Sequence, residues 1–146
     1  MPTLNPVQSL PQDLKAELTK TFGFVPSFAL ASTPDATRLW WGAVRDFQLS
    51  EKTALSGKVK ELIGLGVSAQ IPCHYCIVFH TEAARLNGAS EQEIQEAIFM
   101  ASLTRQGSTI LNGAMLDTGV FDKEMREIVA YLKAQAGKTA ASPVRR

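Results

Sequence analysis

SGKVKELIGLGVSAQIPCHYCIVFHTEAARLNG, Ser56 to Gly88, contains both cysteines and both histidines of the chain. Its apolar residues recur with helical rather than alternating spacing. Three residues punctuate it. Ser56 is of the type that caps a helix start. Pro72 stops one helix at a position where another can begin. Gly88 can adopt the left-handed conformation that closes the second. The stretch therefore reads as two helices, Gly57 to Gln70 and Cys73 to Asn87, folded back on each other as an αα-hairpin.

Working outward, the same helical period continues on both sides. Pro11 to Thr21 reads as a helix with Leu14 and Leu18 on one face. FGFVPSFALASTP is an apolar connector, with Pro26 and Pro34 at helix starts. From Asp35 to Phe47, the residues Leu39, Trp40, Val44 and Phe47 form an inward stripe. Downstream, Ser90 and Glu93 make a capping box for a helix whose core face is Ile94, Ala97, Ile98 and Ala101. A shorter helix is expected after Gly107, through Asp117. Asp122 is expected to cap a final one, with Met125, Ile128, Val129 and Leu132 inward. No segment alternates with period two, so the fold class is all-α, a helical bundle built around the hairpin. Residues 1–137 are expected to form a single domain and residues 138–146 a disordered tail.

The chain has 146 residues, with 15 basic and 14 acidic side chains. That length can bury roughly two thirds of the surface of the unfolded chain without a staple. The near-zero net charge gives no footprint for nucleic acid or an anionic membrane. No stretch of about eighteen apolar residues is present, and the first residues lack the basic start and apolar run of a leader. A soluble, cytoplasmic protein is expected. In that reducing setting, a pair of cysteines is there for reactivity or for metal rather than as a structural staple.

The nine residues PCHYCIVFH, Pro72 to His80, concentrate that chemistry. With 100° per residue, Cys73, Cys76 and His80 share a wedge of about 60°, while His74 points elsewhere and reads as a surface residue. The hairpin turn puts Glu61 level with His80, and Cys76 lies one turn from His80. Carboxylate, imidazole, thiol and thiol thus fall in order. A carboxylate fixes an imidazole's tautomer, and an imidazole beside a thiol promotes the nucleophilic thiolate. On a regular helix, Cβ atoms at i and i+3 are about 5 to 6 Å apart, against about 3.5 to 4.5 Å in a disulfide. A Cys73–Cys76 bond therefore requires the first turn to distort.

This arrangement, Glu61, then Cys73-x-x-Cys76, then His80, resembles the signature of AhpD-like alkylhydroperoxidases, within the carboxymuconolactone decarboxylase superfamily. GFVPSF at Gly23 to Phe28, LSGKVKELIGLGVSA before the cysteines and LNGASEQEIQEA after them agree with it. The resemblance implies an all-helical fold assembling as a homo-oligomer, trimer or hexamer, that reduces hydrogen peroxide or organic hydroperoxides without a cofactor. It assigns Cys76 as the thiol attacked by peroxide, Cys73 as the resolving thiol, and His80 with Glu61 as the proton relay. A dithiol reductant, a lipoyl protein or a thioredoxin-like one, would regenerate the pair. Some members have histidine where this chain has Tyr75, which leaves Tyr75 as an accessory hydrogen-bond donor.

Other readings stand beside it. The same donors suit a zinc-binding Cys2His site, and a dithiol/disulfide oxidoreductase acting on a protein partner needs the same pair. A non-catalytic oligomeric scaffold is a further class. By analogy with thioredoxin-like pairs, Cys73 could attack first. Gly64, Gly66 and Ala69 spell a dinucleotide-binding fingerprint, but without a preceding strand they read as small residues that admit a neighbouring helix. Phe24, Phe28, Trp40, Trp41 and Phe47 are expected in the core or an interface, or else at the entrance for an organic hydroperoxide.

Overall fold

A computed structural model describes the backbone of residues 10–140 and side chains to residue 136. Among the described residues every regular element is helical: α1 (Gln12–Phe22), a 3-10 turn (Ser27–Leu30), α2 (Pro34–Ala43), a π-helical turn (Val44–Gln48), α3 (Gly57–Gln70), α4 (His74–Leu86), α5 (Glu91–Gly113) and α6 (Thr118–Ala140). The all-α class is as the spacing implied. The chain divides into two compact units between Ile98 and Phe99.

Two apolar clusters organise the first unit. Leu14 and Leu18 of α1 pack with Leu10, Ala29, Leu30, Trp41 and Val44. Leu65 of α3, Ala84 of α4 and Ile94 of α5 form the other. The inward face of α2 differs from the expected stripe. Leu39, Trp40 and Phe47 are exposed, Val44 is buried as expected, and Thr37 and Trp41 are buried with it. The side chain of Thr37 can be buried because its hydroxyl donates to the Ala29 carbonyl at 3.0 Å, which meets the cost of burying a polar group. Trp41 donates its indole N–H to Glu17 at 2.7 Å, and Arg45 binds the same carboxylate at 2.6 Å. Those two donors, the indole first, hold the Glu17 carboxyl below the usual range.

Several boundaries are as the residue chemistry required. Pro34 opens α2, Ser56 caps α3 through the Val59 N–H, and Gly88 takes φ +81° after α4. Ser90 and Glu93 bond each other's backbone N–H at 3.1 and 2.8 Å, completing the capping box.

Other boundaries moved. Gly107 lies inside α5 instead of ending it, because a single glycine costs a helix only about 1 kcal/mol and the flanking residues sustain it. The final helix starts at Thr118, not after Asp122: Asp117 accepts the Val120 N–H at 2.8 Å and takes the capping role. Ile98, Met125, Ile128, Val129 and Leu132, expected inward, are exposed in this chain. Helix α6 continues to Ala140, through the first three residues of the expected tail; residues 141–146 lie outside the described residues. No described helix is long and apolar enough to cross a membrane.

Candidate active site

The face that α3 turns to α4 sets a row of small or polar residues beside Leu65, which clusters with Ala84. A Cβ on Gly57 would overlap the Asn87 amide, and a Cβ on Gly64 would overlap the His80 ring. Glu61, between them at helical spacing, is 1 % exposed, and Ser68, one turn beyond Gly64, is also buried. Gly64 therefore has a specific reason to be glycine. The imidazole of His80 occupies the space that any side chain there would fill, which accounts for part of the apparent dinucleotide fingerprint.

Into that space Glu61 projects its carboxylate. Its Oε2 lies 2.7 Å from His80 Nδ1. A carboxylate can only accept, so Nδ1 carries the proton and Nε2 is the free nitrogen of the neutral ring. The hairpin spacing puts Glu61 level with His80 without fixing its rotation, and the structure turns it inward onto His80. Gln48 supplies a second donor, its Nε2 being 3.1 and 3.3 Å from the two Glu61 oxygens.

Cys73 is placed differently from its expected position. Helix α4 begins at His74, and Cys73 is its N-cap with extended backbone, φ −90° and ψ 97°. Its Sγ accepts the Cys76 N–H at 3.3 Å, as a serine oxygen would at a helix start. Cys73 has left the helical conformation, its Cα lies 5.3 Å from that of Cys76, within the span of a disulfide, and the two cysteines are bonded. The departure from regular helix that a bond between these positions calls for is met by Cys73 standing as the N-cap. The shared wedge thus holds for Cys76 and His80, with Cys73 at the helix end, where the N-terminal amides favour negative charge.

Phe28, Trp40, Tyr75 and Phe79 wall a pocket of about 250 Å³ whose polar lining comes from Gln48, Cys76 and His80. The rings of Phe28 meet those of Trp40 and Phe79 edge to face at 5.7 and 6.4 Å. Of the five aromatics considered from sequence, Trp41 is core, Phe28 and Trp40 line this pocket, and Phe24 and Phe47 are exposed. Tyr75 is 85 % exposed at the pocket's edge, and His74 is a surface residue as expected. Among the described residues no group of three or more histidine, cysteine, aspartate or glutamate side chains is arranged to hold a metal ion. Glu61 and His80 are engaged with each other, and the two sulfurs with each other.

Sequence reasoning missed Gln48 and Lys60. Gln48 closes the π-helical turn, whose extra residue per turn changes which side chain faces α3. Lys60 is buried, yet its ammonium reaches the carbonyls of Phe47 and Ser50 at 2.8 and 2.7 Å and Thr53 Oγ1 at 2.9 Å. Residues 60 and 61 thus grip the same connector.

Comparisons with known proteins agree with this architecture. The crystal structure of the alkylhydroperoxidase AhpD core from Rhodospirillum rubrum matches 79 % of this chain and 94 % of its own, with a TM-score of 0.65 and 23 % identity. A Paracoccus denitrificans protein described as uncharacterized protein 4 in cox locus is 38 % identical over 55 residues, 38 % of this chain and 50 % of that protein. The chain therefore spans about half the length of that relative. The model of the carboxymuconolactone decarboxylase family matches residues 35–118, more than half of the sequence and the whole of the α3–α4 hairpin. With an AhpD-like fold and a cysteine pair at the head of α4, the chain belongs to the carboxymuconolactone decarboxylase family.

Proposed function

We propose that the protein is a thiol-dependent peroxidase that reduces hydrogen peroxide or organic hydroperoxides through Cys73 and Cys76. The observation that carries this reading is a single pocket holding Cys76 and His80, with His80 bonded on its far side to the buried Glu61. In the reduced protein, His80 Nε2 accepts the Cys76 proton and Glu61 stabilises the resulting imidazolium. The thiolate attacks one peroxide oxygen, the O–O bond breaks, and the departing alkoxide or hydroxide takes the proton from His80. Cys76 is left as a sulfenic acid. The Cys73 thiol then displaces water from it, forming the Cys73–Cys76 disulfide, the state present here. A dithiol donor, lipoyl-bearing or thioredoxin-like, returns two electrons and two protons by exchange. Tyr75, which lines the pocket, is on this reading an accessory hydrogen-bond donor.

The aromatic walls favour an organic substituent beside the O–O bond. The same reading puts the chain in the reducing cytoplasm as a homo-oligomer, trimer or hexamer. Support for assembly comes from α6, where Met125, Ile128, Val129 and Leu132 are spaced as a core face and are exposed in the single chain. The second copy is the occupant that fits, since family resemblance and an apolar helix face agree.

A dithiol oxidoreductase acting on a protein partner is the competing reading. The exposed Ile71 and Tyr75 on either side of Cys73 favour it, as a surface that could meet another protein. Peroxide consumption by the purified protein separates the two, with dithiothreitol, dihydrolipoamide and thioredoxin compared as donors. Turnover of cumene hydroperoxide or hydrogen peroxide with any of them is expected. Disulfide exchange with thioredoxin, without peroxide loss under any donor, would overturn the peroxidase reading.

A further inference from the structure

We propose that Gln48 is a positioning residue of this site: its side-chain amide holds the Glu61 carboxylate on His80, so that the imidazole is presented to Cys76. The activity part of the test rests on the peroxidase reading; the thiol part does not.

The geometry is that of a buried carboxylate with two donors. His80 Nδ1 meets Oε2 at 2.7 Å, and Gln48 Nε2 meets Oε1 at 3.1 Å. A carboxylate sealed from water needs donors for both oxygens. Without the amide, Oε1 would lose the donor shown here, and the carboxylate would either rotate or take a proton. Either change removes the orienting partner of His80. The carboxylate also fixes which end of the amide faces it, because only the nitrogen can donate.

The backbone around Gln48 is built to keep it there. Gln48 ends the π-helical turn, and π-helical segments are frequent at functional sites. Lys60, next to Glu61 on α3, holds the residues on both sides of Gln48 through the Phe47 and Ser50 carbonyls and Thr53 Oγ1. The groups facing the Glu61 carboxylate are thus His80 from α4 and Gln48 from the turn, with the Lys60 ammonium engaged on the turn's own oxygens. Gln48 also lines the pocket beside Cys76 and His80, so its effect is read at the thiol.

The test uses the Cys73→Ser background, in which Cys76 is the remaining thiol and serine keeps an N-cap oxygen at position 73. Iodoacetamide alkylation is measured against pH, beside thermal melting, for Gln48 and for two substitutions. Gln48→Met keeps the length and removes the donor. Gln48→Glu keeps the shape but sets a second carboxylate against Glu61, and two such groups must share a proton. The expected result is alkylation slowed about tenfold near neutral pH in Gln48→Met and more in Gln48→Glu. Both profiles move to higher pH, while melting changes little.

If both variants keep the parental profile, the proposal is overturned, whatever happens to melting. If Gln48→Glu fails to fold, Gln48→Met alone decides. Peroxide turnover, measured with Cys73 restored, separates this inference from the peroxidase reading. Shifted profiles in a protein that consumes no peroxide uphold the role of Gln48 and defeat the activity. Peroxide turnover that survives both substitutions, with unshifted profiles, does the reverse.

Discussion

The α3–α4 hairpin and α6 carry equally regular helical patterns and use them differently. In the hairpin, Gly57, Glu61, Gly64 and Ser68 form a small or polar row beside the buried Leu65, and the first three meet Asn87 or His80 across the turn. In α6, Met125, Ile128, Val129 and Leu132 repeat at the same spacing and are exposed. Periodicity reports which face is distinct, but not what covers it. Where the cover is the next helix across a tight turn, sequence supplies it. For α6 no cover is named by the sequence, and the proposed second copy is what the face is to be tested against.

The sharpest way to break this contrast is at the sulfurs. Replacing Cys76 with serine is expected to abolish peroxide turnover under every donor. Cys73→Ser should still form one sulfenic acid per chain, detected by dimedone labelling and mass spectrometry. Labelling of Cys76→Ser but not of Cys73→Ser would exchange the two roles.

Glycines sharpen it next, because one in the hairpin and one in α5 predict opposite signs. Gly64→Ala should gain up to about 1 kcal/mol of helix propensity but push the His80 ring out of its place. Displacing an acid–base group by about 1 Å costs roughly 100-fold in rate. A folded, nearly inactive protein is expected from circular dichroism and peroxide assays. Gly107 of α5 has open space where a Cβ would go, so Gly107→Ala should raise stability by about 1 kcal/mol in urea titration and leave activity alone. Equal activity in both variants would remove the reason given for Gly64.

The hairpin's legibility follows from the same asymmetry. Ser56, Pro72 and Gly88 act on the backbone within a turn of themselves, so the limits of α3 and the level of Glu61 against His80 followed from local chemistry. Cys73 stands one residue outside the helix that the spacing predicts, because serine-like capping by a thiol is weakly encoded. Gln48 was not legible at all. A π-helical turn shifts the register of the side chain that follows it, and nothing in FQLS distinguishes it from an ordinary helix end. The inward expectation for Leu39 failed for a related reason: burial of Thr37 depended on an acceptor eight residues away, at Ala29.

For α6, the test is the mass of the assembled protein. Light scattering on the parent should give a multiple of the 15.9 kDa chain mass. Ile128→Asp, which sets a charge into the apolar face, should shift the population toward that single mass. A monomeric parent would sink the homo-oligomer and leave the exposed face to some other partner.

The smallest effect belongs to a site between the two extremes, where the polar partners lie within one chain but water reaches them. Glu17 binds Trp41 and Arg45 as Glu61 binds His80 and Gln48, yet it is not sealed from solvent. Its carboxyl is held below the ordinary value of 4.5, first by the Trp41 indole and then by Arg45. A depressed carboxyl contributes stability above its unfolded value, and that contribution is lost as pH falls through the folded one. Glu17→Gln should therefore melt slightly below the parent at neutral pH, the gap closing as pH drops beneath 4.5 and narrowing with added salt, because exposed pairs are screened. A gap that stays constant across pH would mean that glutamine disturbs packing around Trp41 rather than removing a charge.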